Sequence, residues 1–109
     1  MILILWGADD FSLTEHLRSL RQELGEPSLA EANTTWLEGR FSARELADAC
    51  GASPFFISRR LVIAAGLLAR FASRGEGEQP SGEVEIKAFT EALEAVPEST
   101  LLVLTEESL

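Results

Sequence analysis

The 109-residue chain has one cysteine, one lysine and no tyrosine, and none of its apolar runs is long enough to span a membrane. A lone Cys50 excludes an intrachain disulfide and a cysteine metal cluster, so we expect a small buried side chain on a helix. The apolar start, Met1 to Gly7, has neither the basic residues nor the cleavage site of a signal peptide. The composition therefore predicts a cytoplasmic protein that makes no membrane contact.

Positive charge is scarce, because eighteen acidic residues face nine basic ones and the net charge is −9. A nucleic-acid backbone would meet mostly repulsion, and we expect no direct nucleic-acid binding. The paired arginines, such as Arg59 and Arg60, are more often solvated or paired with glutamate than part of a binding patch. The 46% hydrophobic content is that of a folded protein, and the length suits one domain over residues 1–109.

Phosphate-binding chemistry is missing from the sequence. No G-x-x-x-x-G-K-[S/T] loop is present, and the turn after the first apolar run has one glycine, Gly7, followed by the carboxylates of Asp9 and Asp10. The single histidine, His16, has no ligand partners at metal-binding spacing and is expected on the surface. The sequence thus predicts no ATPase activity, no cofactor and no metal, and the chain by itself is not expected to be an enzyme.

Asp9 and Asp10 nevertheless keep one alternative open. An acidic pair after a first strand is typical of phospho-receiver domains, which hold magnesium beside a phosphorylatable aspartate. Such a site also needs an aspartate after the third strand and a lysine after a later one, whereas residues 60–66 carry no carboxylate and Lys87 lies on a predicted helix. The alternative function is a magnesium-binding, phospho-receiver-like or nucleotide-binding α/β domain.

Apolar runs alternate with helical patterns along the chain. Residues 2–6, 33–38, 60–65 and 99–105 are predicted strands, and the first of them is expected to be buried on both faces. Two helices are predicted from capping boxes, Ser12 with Glu15 and Ser42 with Glu45, and they end at Gly25 and Gly51. The first carries an apolar stripe made of Leu13, Leu17, Leu20 and Leu24.

The remaining segments complete the alternation. Residues 67–72 are predicted to be helical, residues 73–83 have no apolar residue and are predicted to be a flexible loop, and a last helix presents one apolar face. That face consists of Ile86, Phe89, Leu93 and Val96. The β-α-β-α-β-α-β order predicts a three-layer α/β fold with a parallel sheet and helices on both sides.

Two adjacent aromatic residues, Phe55 and Phe56, precede the third predicted strand. Ser53 as a cap and Pro54 at the first helical position predict a short helical turn there. Two neighbouring rings on one turn cannot both face the same core, so at least one should point outward. Either one ring is core and the other packs beneath a loop, or the pair is an exposed tip that fills a pocket on a partner.

Taken together, these segments resemble the delta subunit of bacterial DNA polymerase III, a clamp-loader protein. The resemblance rests on the strand leading to Gly7, on residues 33–39 and 99–106, and most specifically on Pro54-Phe55-Phe56 followed by Arg59-Arg60-Leu61-Val62-Ile63. It implies a RecA-like, AAA+-like fold that lacks a phosphate-binding loop, with a non-hydrolytic role in opening the sliding clamp during DNA replication.

The resemblance also implies which residues bind. Phe55 and Phe56 would enter a pocket on the sliding clamp, the beta subunit, while Pro54 shapes the turn and Ile57 adds apolar surface where a small or polar residue is expected. The family continues into a lid domain and a collar domain that joins other clamp-loader subunits. We therefore expect residues 1–109 to be an N-terminal clamp-binding domain, either isolated or the product of a truncation.

Overall fold

Four parallel strands form one sheet with the order β1-β4-β3-β2. The computed structural model describes residues 1–6, 10–72 and 80–106, with only the backbone of residues 10, 11, 70–72 and 80–84. The elements run β1 (Ile2–Trp6), α1 (Asp10–Gln22), α2 (Pro27–Ala32), β2 (Thr34–Leu37), α3 (Ala43–Gly51), β3 (Arg60–Ala65), α4 (Leu67–Ala72), α5 (Pro80–Glu94) and β4 (Thr100–Glu106).

Helices cover the sheet on both faces, which confirms the predicted three-layer α/β fold. Helices α3, α4 and α5 enclose one core, in which Leu46, Leu67 and Phe89 pack against Val62 and Leu102. Helices α1 and α2 enclose the other, composed of Leu17, Leu24, Ala30, Leu61, Ile63, Leu101 and Val103. Neighbouring residues of β3 and β4 point alternately into the two cores, so β4 is buried throughout and β3 is buried between its two end residues.

Helix α3 begins as its sequence predicts. The hydroxyl of Ser42 accepts a hydrogen bond from the Glu45 N–H at 3.0 Å, and the Glu45 carboxylate accepts one from the Ser42 N–H at 3.3 Å. This reciprocal capping box satisfies two N–H groups that the helix itself leaves without partners. Strand β3 also has the predicted limits, Arg60–Ala65.

Two predicted boundaries are wrong, and one helix was not predicted. Helix α1 begins at Asp10, so Ser12 lies within its first turn and is not its N-cap. Pro27 lies beyond the end of α1, as expected, but it also opens the short helix α2, where its fixed φ and missing N–H suit the first position. Helix α5 begins at Pro80, so the predicted loop does not extend to residue 83; residues 73–79 lie outside the described part of the chain.

Strand β1 is not buried on both faces, contrary to the expectation from its apolar sequence. It occupies one edge of the sheet, where Leu3 and Leu5 pack against the α1 side. On the other face Ile2 is 42%, Ile4 41% and Trp6 58% exposed. Helices α3 and α4, on that side, contact β3 and β4 and leave these residues accessible. Ile86, predicted on the buried face of α5, is exposed as well.

The described helices include none that is long and apolar enough to cross a membrane.

Candidate functional site: an aromatic tip at the amino edge of the sheet

The segment between α3 and β3 carries the aromatic pair, and we call residues 54–57 the aromatic tip. Because the tip leads into the first residue of β3, it lies at the amino edge of the parallel sheet, opposite the turn that follows β1. The predicted helical turn is absent, since residues 53–59 form bends and irregular backbone with no helical residue. The reason is the backbone of Phe56, whose φ of 58° is incompatible with a right-handed helix.

Both rings are accessible. Phe55 is 54% and Phe56 82% exposed, which exceeds the expectation that at least one would point outward. The rings contact each other edge to face, with centroids 4.4 Å apart and planes at 81°. This geometry is favourable for an aromatic pair, and it leaves much of both rings facing solvent.

The residues on either side of the rings are less accessible. Pro54 and Ile57 are half-buried, and Ile57 packs against the core beneath α1. Phe56 is the one non-glycine residue in the described ranges with positive φ, a conformation that a bulky side chain adopts only where its surroundings impose it. The tip is therefore a strained turn anchored at its far end by an apolar side chain.

The side chain of Asn33 fixes the amino-terminal part of the tip through the backbone of Phe55. Its Oδ1 accepts a hydrogen bond from the Phe55 N–H at 2.6 Å, and its Nδ2 donates to the Phe55 carbonyl at 2.9 Å. Nδ2 also donates to the Leu29 carbonyl of α2 at 2.8 Å. Asn33 is fully buried, so these bonds are shielded from competition with water.

Arg60 fixes the exit of the segment into the sheet. Its Nε donates to the Ala49 carbonyl of α3 at 2.9 Å, and its guanidinium also donates to the Thr35 hydroxyl on β2. Its backbone N–H donates to the Ser99 carbonyl at 2.7 Å. The following residue, Leu61, donates its N–H to the Asn33 carbonyl at 2.8 Å. The neighbouring strands thus position both the start and the end of the tip.

A cavity of about 200 Å³ opens at the foot of the tip, between α1 and the starts of β3 and β4. Apolar side chains, among them Leu24, Ile57 and Leu101, form part of its wall, and the charged Glu23 and Arg59 also line it. The tip therefore stands beside a concave surface of mixed polarity.

The alternative magnesium or nucleotide site was predicted at Asp9 and Asp10, at the opposite edge of the sheet. Asp9 lies outside the described residues, and of Asp10 the structure describes only the backbone, as the first residue of α1. Within residues 1–6, 10–72 and 80–106, no group of three His, Cys, Asp or Glu side chains is placed to hold a metal ion. His16 is exposed, as predicted. Nothing here favours the magnesium or nucleotide alternative.

Solved structures share this fold. A DNA clamp loader delta protein of Bacillus subtilis superposes with a TM-score of 0.71 at 20% identity, over 99% of this chain and 32% of the other. A DNA polymerase III gamma subunit-related protein of Thermotoga maritima gives 0.63 at 18% identity, over 98% and 34%. The chain thus has an AAA+-like α/β fold, and it spans about a third of the length of these two structures.

The family follows from the sequence. The model of the family described as DNA polymerase III, delta subunit, matches residues 3–108, and the chain belongs to that family. No curated protein matches the chain.

Sequence reasoning placed the exposed rings but missed Asn33. The sequence partly indicated its role, because asparagine is common at the end of a helix and its side chain readily forms hydrogen bonds with nearby backbone groups. The contact of Asn33 with Phe55, 22 residues further along the chain, depends on how β2 and β3 pair, and the local sequence does not specify it.

Proposed function

We propose that this chain binds the sliding clamp of DNA polymerase III through the aromatic tip and helps to open it, without hydrolysing nucleotide. Residues 1–109 would act as the N-terminal AAA+-like domain of a cytoplasmic clamp-loader subunit. The observation that carries the proposal is the pair of accessible rings, Phe55 and Phe56, on a turn held rigidly from below.

Several properties of the tip suit docking into an apolar pocket. A Phe ring buried on binding contributes about 1.5–3 kcal/mol. The backbone of Phe55 is already fixed by Asn33, so less conformational entropy is lost on association. In the proposed complex Phe55 and Phe56 enter the pocket, Pro54 shapes the turn, and Ile57 supports it from the core side while adding apolar surface.

Charge and sequence support the non-hydrolytic, protein-binding role. A net charge of −9 disfavours direct DNA binding by this domain, and the phosphate-binding loop sequence is absent. Contacts with other clamp-loader subunits would then belong to the full-length protein, as would its place in the polymerase III holoenzyme.

The test is calorimetric titration of the domain with the cognate sliding clamp. Phe55→Ala and Phe56→Ala should each weaken binding about tenfold or more, and the double variant should weaken it further. Trp6→Ala is the matched control, because Trp6 is an aromatic residue at the opposite edge of the sheet with an exposure close to that of Phe55. Absence of wild-type binding, or equal losses in the tip and Trp6 variants, would overturn the proposal.

Clamp opening is measured separately. A clamp loaded on nicked circular DNA should dissociate faster when the domain is added without ATP, and the double Phe variant should have no effect. If the domain binds the clamp but leaves its dissociation rate unchanged, the binding part of the proposal stands and the opening part fails.

A further inference from the structure

We infer that Asn33 is the positioning residue of the aromatic tip: its side chain selects the backbone conformation in which Phe55 and Phe56 face outward. The inference rests on the proposed function for its consequence in clamp binding. Its structural part concerns only this chain and can be tested without the clamp.

Most of the Asn33 side chain is used on Phe55. Two of its three hydrogen bonds go to Phe55, one to each backbone polar group, and the third goes to Leu29. The Asn33 side-chain amide pairs with the N–H and carbonyl of Phe55 in the way that a backbone peptide group pairs with a residue of a neighbouring strand. It fixes both the position and the orientation of the peptide groups around Phe55.

Among the common side chains, asparagine is specifically suited to this place. A carboxylate accepts but does not donate, a hydroxyl is too small to bridge both groups of Phe55, and leucine does neither. Glutamine has the same amide on a chain one carbon longer, which the fully buried site would have to accommodate. A carboxylate, a hydroxyl or leucine at this position leaves at least one backbone group of Phe55 or Leu29 without this partner.

The main chain of Asn33 performs a separate task. Its N–H donates to the Leu29 carbonyl at 3.1 Å, and its carbonyl accepts from the Leu61 N–H at 2.8 Å. Any residue other than proline can make those two bonds, which join α2, β2 and β3. The side chain adds one further bond to this junction, from Nδ2 to the Leu29 carbonyl, and its other two bonds go to the tip.

The backbone conformation of Phe56, the residue after Phe55, explains why the tip must be held in place. Phe56 has a φ of 58°, whereas an unconstrained phenylalanine prefers negative φ. Asn33 immobilises the residue before it, and Ile57, packed on the core, immobilises the residue after it. Phe56 is thus held between two fixed points, and its ring projects to 82% exposure as a result.

The clamp-independent test is amide hydrogen exchange followed by NMR in Asn33→Ala. The Phe55 amide should exchange at least about tenfold faster than in the wild type, while Val62 and Leu102, in the core strands, keep their protection. Asn33→Asp is the conservative variant; it retains an acceptor for the Phe55 N–H and should show a smaller increase. Unchanged exchange of Phe55 in Asn33→Ala would overturn the inference.

Clamp affinity supplies the second readout. Asn33→Ala should weaken binding about tenfold, with Asn33→Asp between it and the wild type. Thr34→Val is the matched control, because Thr34 donates its hydroxyl to the Ala30 carbonyl at 2.6 Å within the same junction, away from the tip. It should destabilise the domain without weakening binding.

The outcomes separate the two claims. If the wild type fails to bind the clamp but the exchange result holds, the proposed function fails and the positioning role of Asn33 stands. If Asn33→Ala and Thr34→Val weaken clamp binding equally, or if Asn33→Asp is as deleterious as Asn33→Ala in both measurements, Asn33 has only a general structural role.

Discussion

The carboxylate of Glu106, the last residue of β4, accepts hydrogen bonds from the N–H groups of Leu68 at 3.0 Å and Ala69 at 3.1 Å. These N–H groups lie in the first turn of α4, where a helix has no internal acceptors for them. Glu106 is almost fully buried, and its negative charge lies at the positive end of the helix dipole. One side chain thus connects the carboxyl edge of the sheet to the helix above it.

Glu106→Ala should therefore lower the free energy of unfolding by about 2–4 kcal/mol, because two N–H groups at the start of α4 lose a charged acceptor. Glu106→Gln keeps a carbonyl oxygen as acceptor and should lose about half as much. Glu98→Ala, at an exposed position, is the control and should change stability by less than about 0.5 kcal/mol. Urea unfolding measures all three, and equal stabilities of Glu106→Ala and Glu98→Ala would contradict the capping role.

The left-handed backbone of Phe56 leads to a prediction about glycine. Phe56→Gly and Phe56→Ala both remove the ring, but only glycine adopts a φ of 58° without strain. The glycine variant should be more stable than the alanine variant by about 1 kcal/mol.

Position 55 provides the matched comparison, because Phe55 does not have positive φ. There Phe55→Ala should be more stable than Phe55→Gly by about 0.5–1 kcal/mol, since glycine loses more backbone entropy on folding. Thermal unfolding of the four variants gives both differences. The same sign at positions 55 and 56 would show that the Phe56 backbone is not strained in solution.

The sequence was most informative where periodicity and capping act locally. The Ser42–Glu45 box and the β3 limits follow from residues that contact one another within a turn or along one strand. Helix α2 was missed because Pro27 was interpreted only as a residue beyond the end of the first helix, although proline also suits the first position of a new one. The packing of Ala30 into the core, which stabilises this short helix, is a tertiary contact.

The burial of β1 and the shape of the tip depend on distant contacts, and sequence patterns could not supply them. An apolar strand such as Ile2–Trp6 is expected to be central, yet sheet order places it at an edge. Pro54 after Ser53 favours a helical start, yet Asn33 and Ile57 hold the chain in another conformation. The exposure of at least one of Phe55 and Phe56 was nevertheless foreseeable, because adjacent rings cannot share one core, whereas the exposure of both was not.

The two faces of β1 should respond differently to truncation. Leu5→Ala removes a side chain that packs against the core beneath α1 and should cost about 2–3 kcal/mol of unfolding free energy. Ile4→Ala removes one that is 41% exposed and should cost about 1 kcal/mol or less. Chemical denaturation of the two variants measures the difference. Equal losses would indicate that both faces of β1 are buried in solution.

Cys50 predicts a pH dependence of stability. Burial raises the pKa of its thiol from 9.0 to about 11, while the Arg60 charge and the amino terminus act in the opposite direction. Between these values the unfolded chain releases the thiol proton and the folded chain retains it, so rising pH favours unfolding. The stabilising contribution is complete below pH 9 and should decline by about 1.4 kcal/mol per pH unit up to pH 11.

Cys50→Ala isolates this effect, because alanine occupies the same buried position on α3 without a titrating group. At pH 8 the variant should be less stable than the wild type, since a buried sulfur is lost. By pH 11 the wild type should have lost about 2 kcal/mol of that advantage, and every other titrating group is common to both proteins. Urea unfolding at several pH values measures the gap. A constant gap would mean that the thiol of Cys50 titrates alike in the folded and unfolded chains.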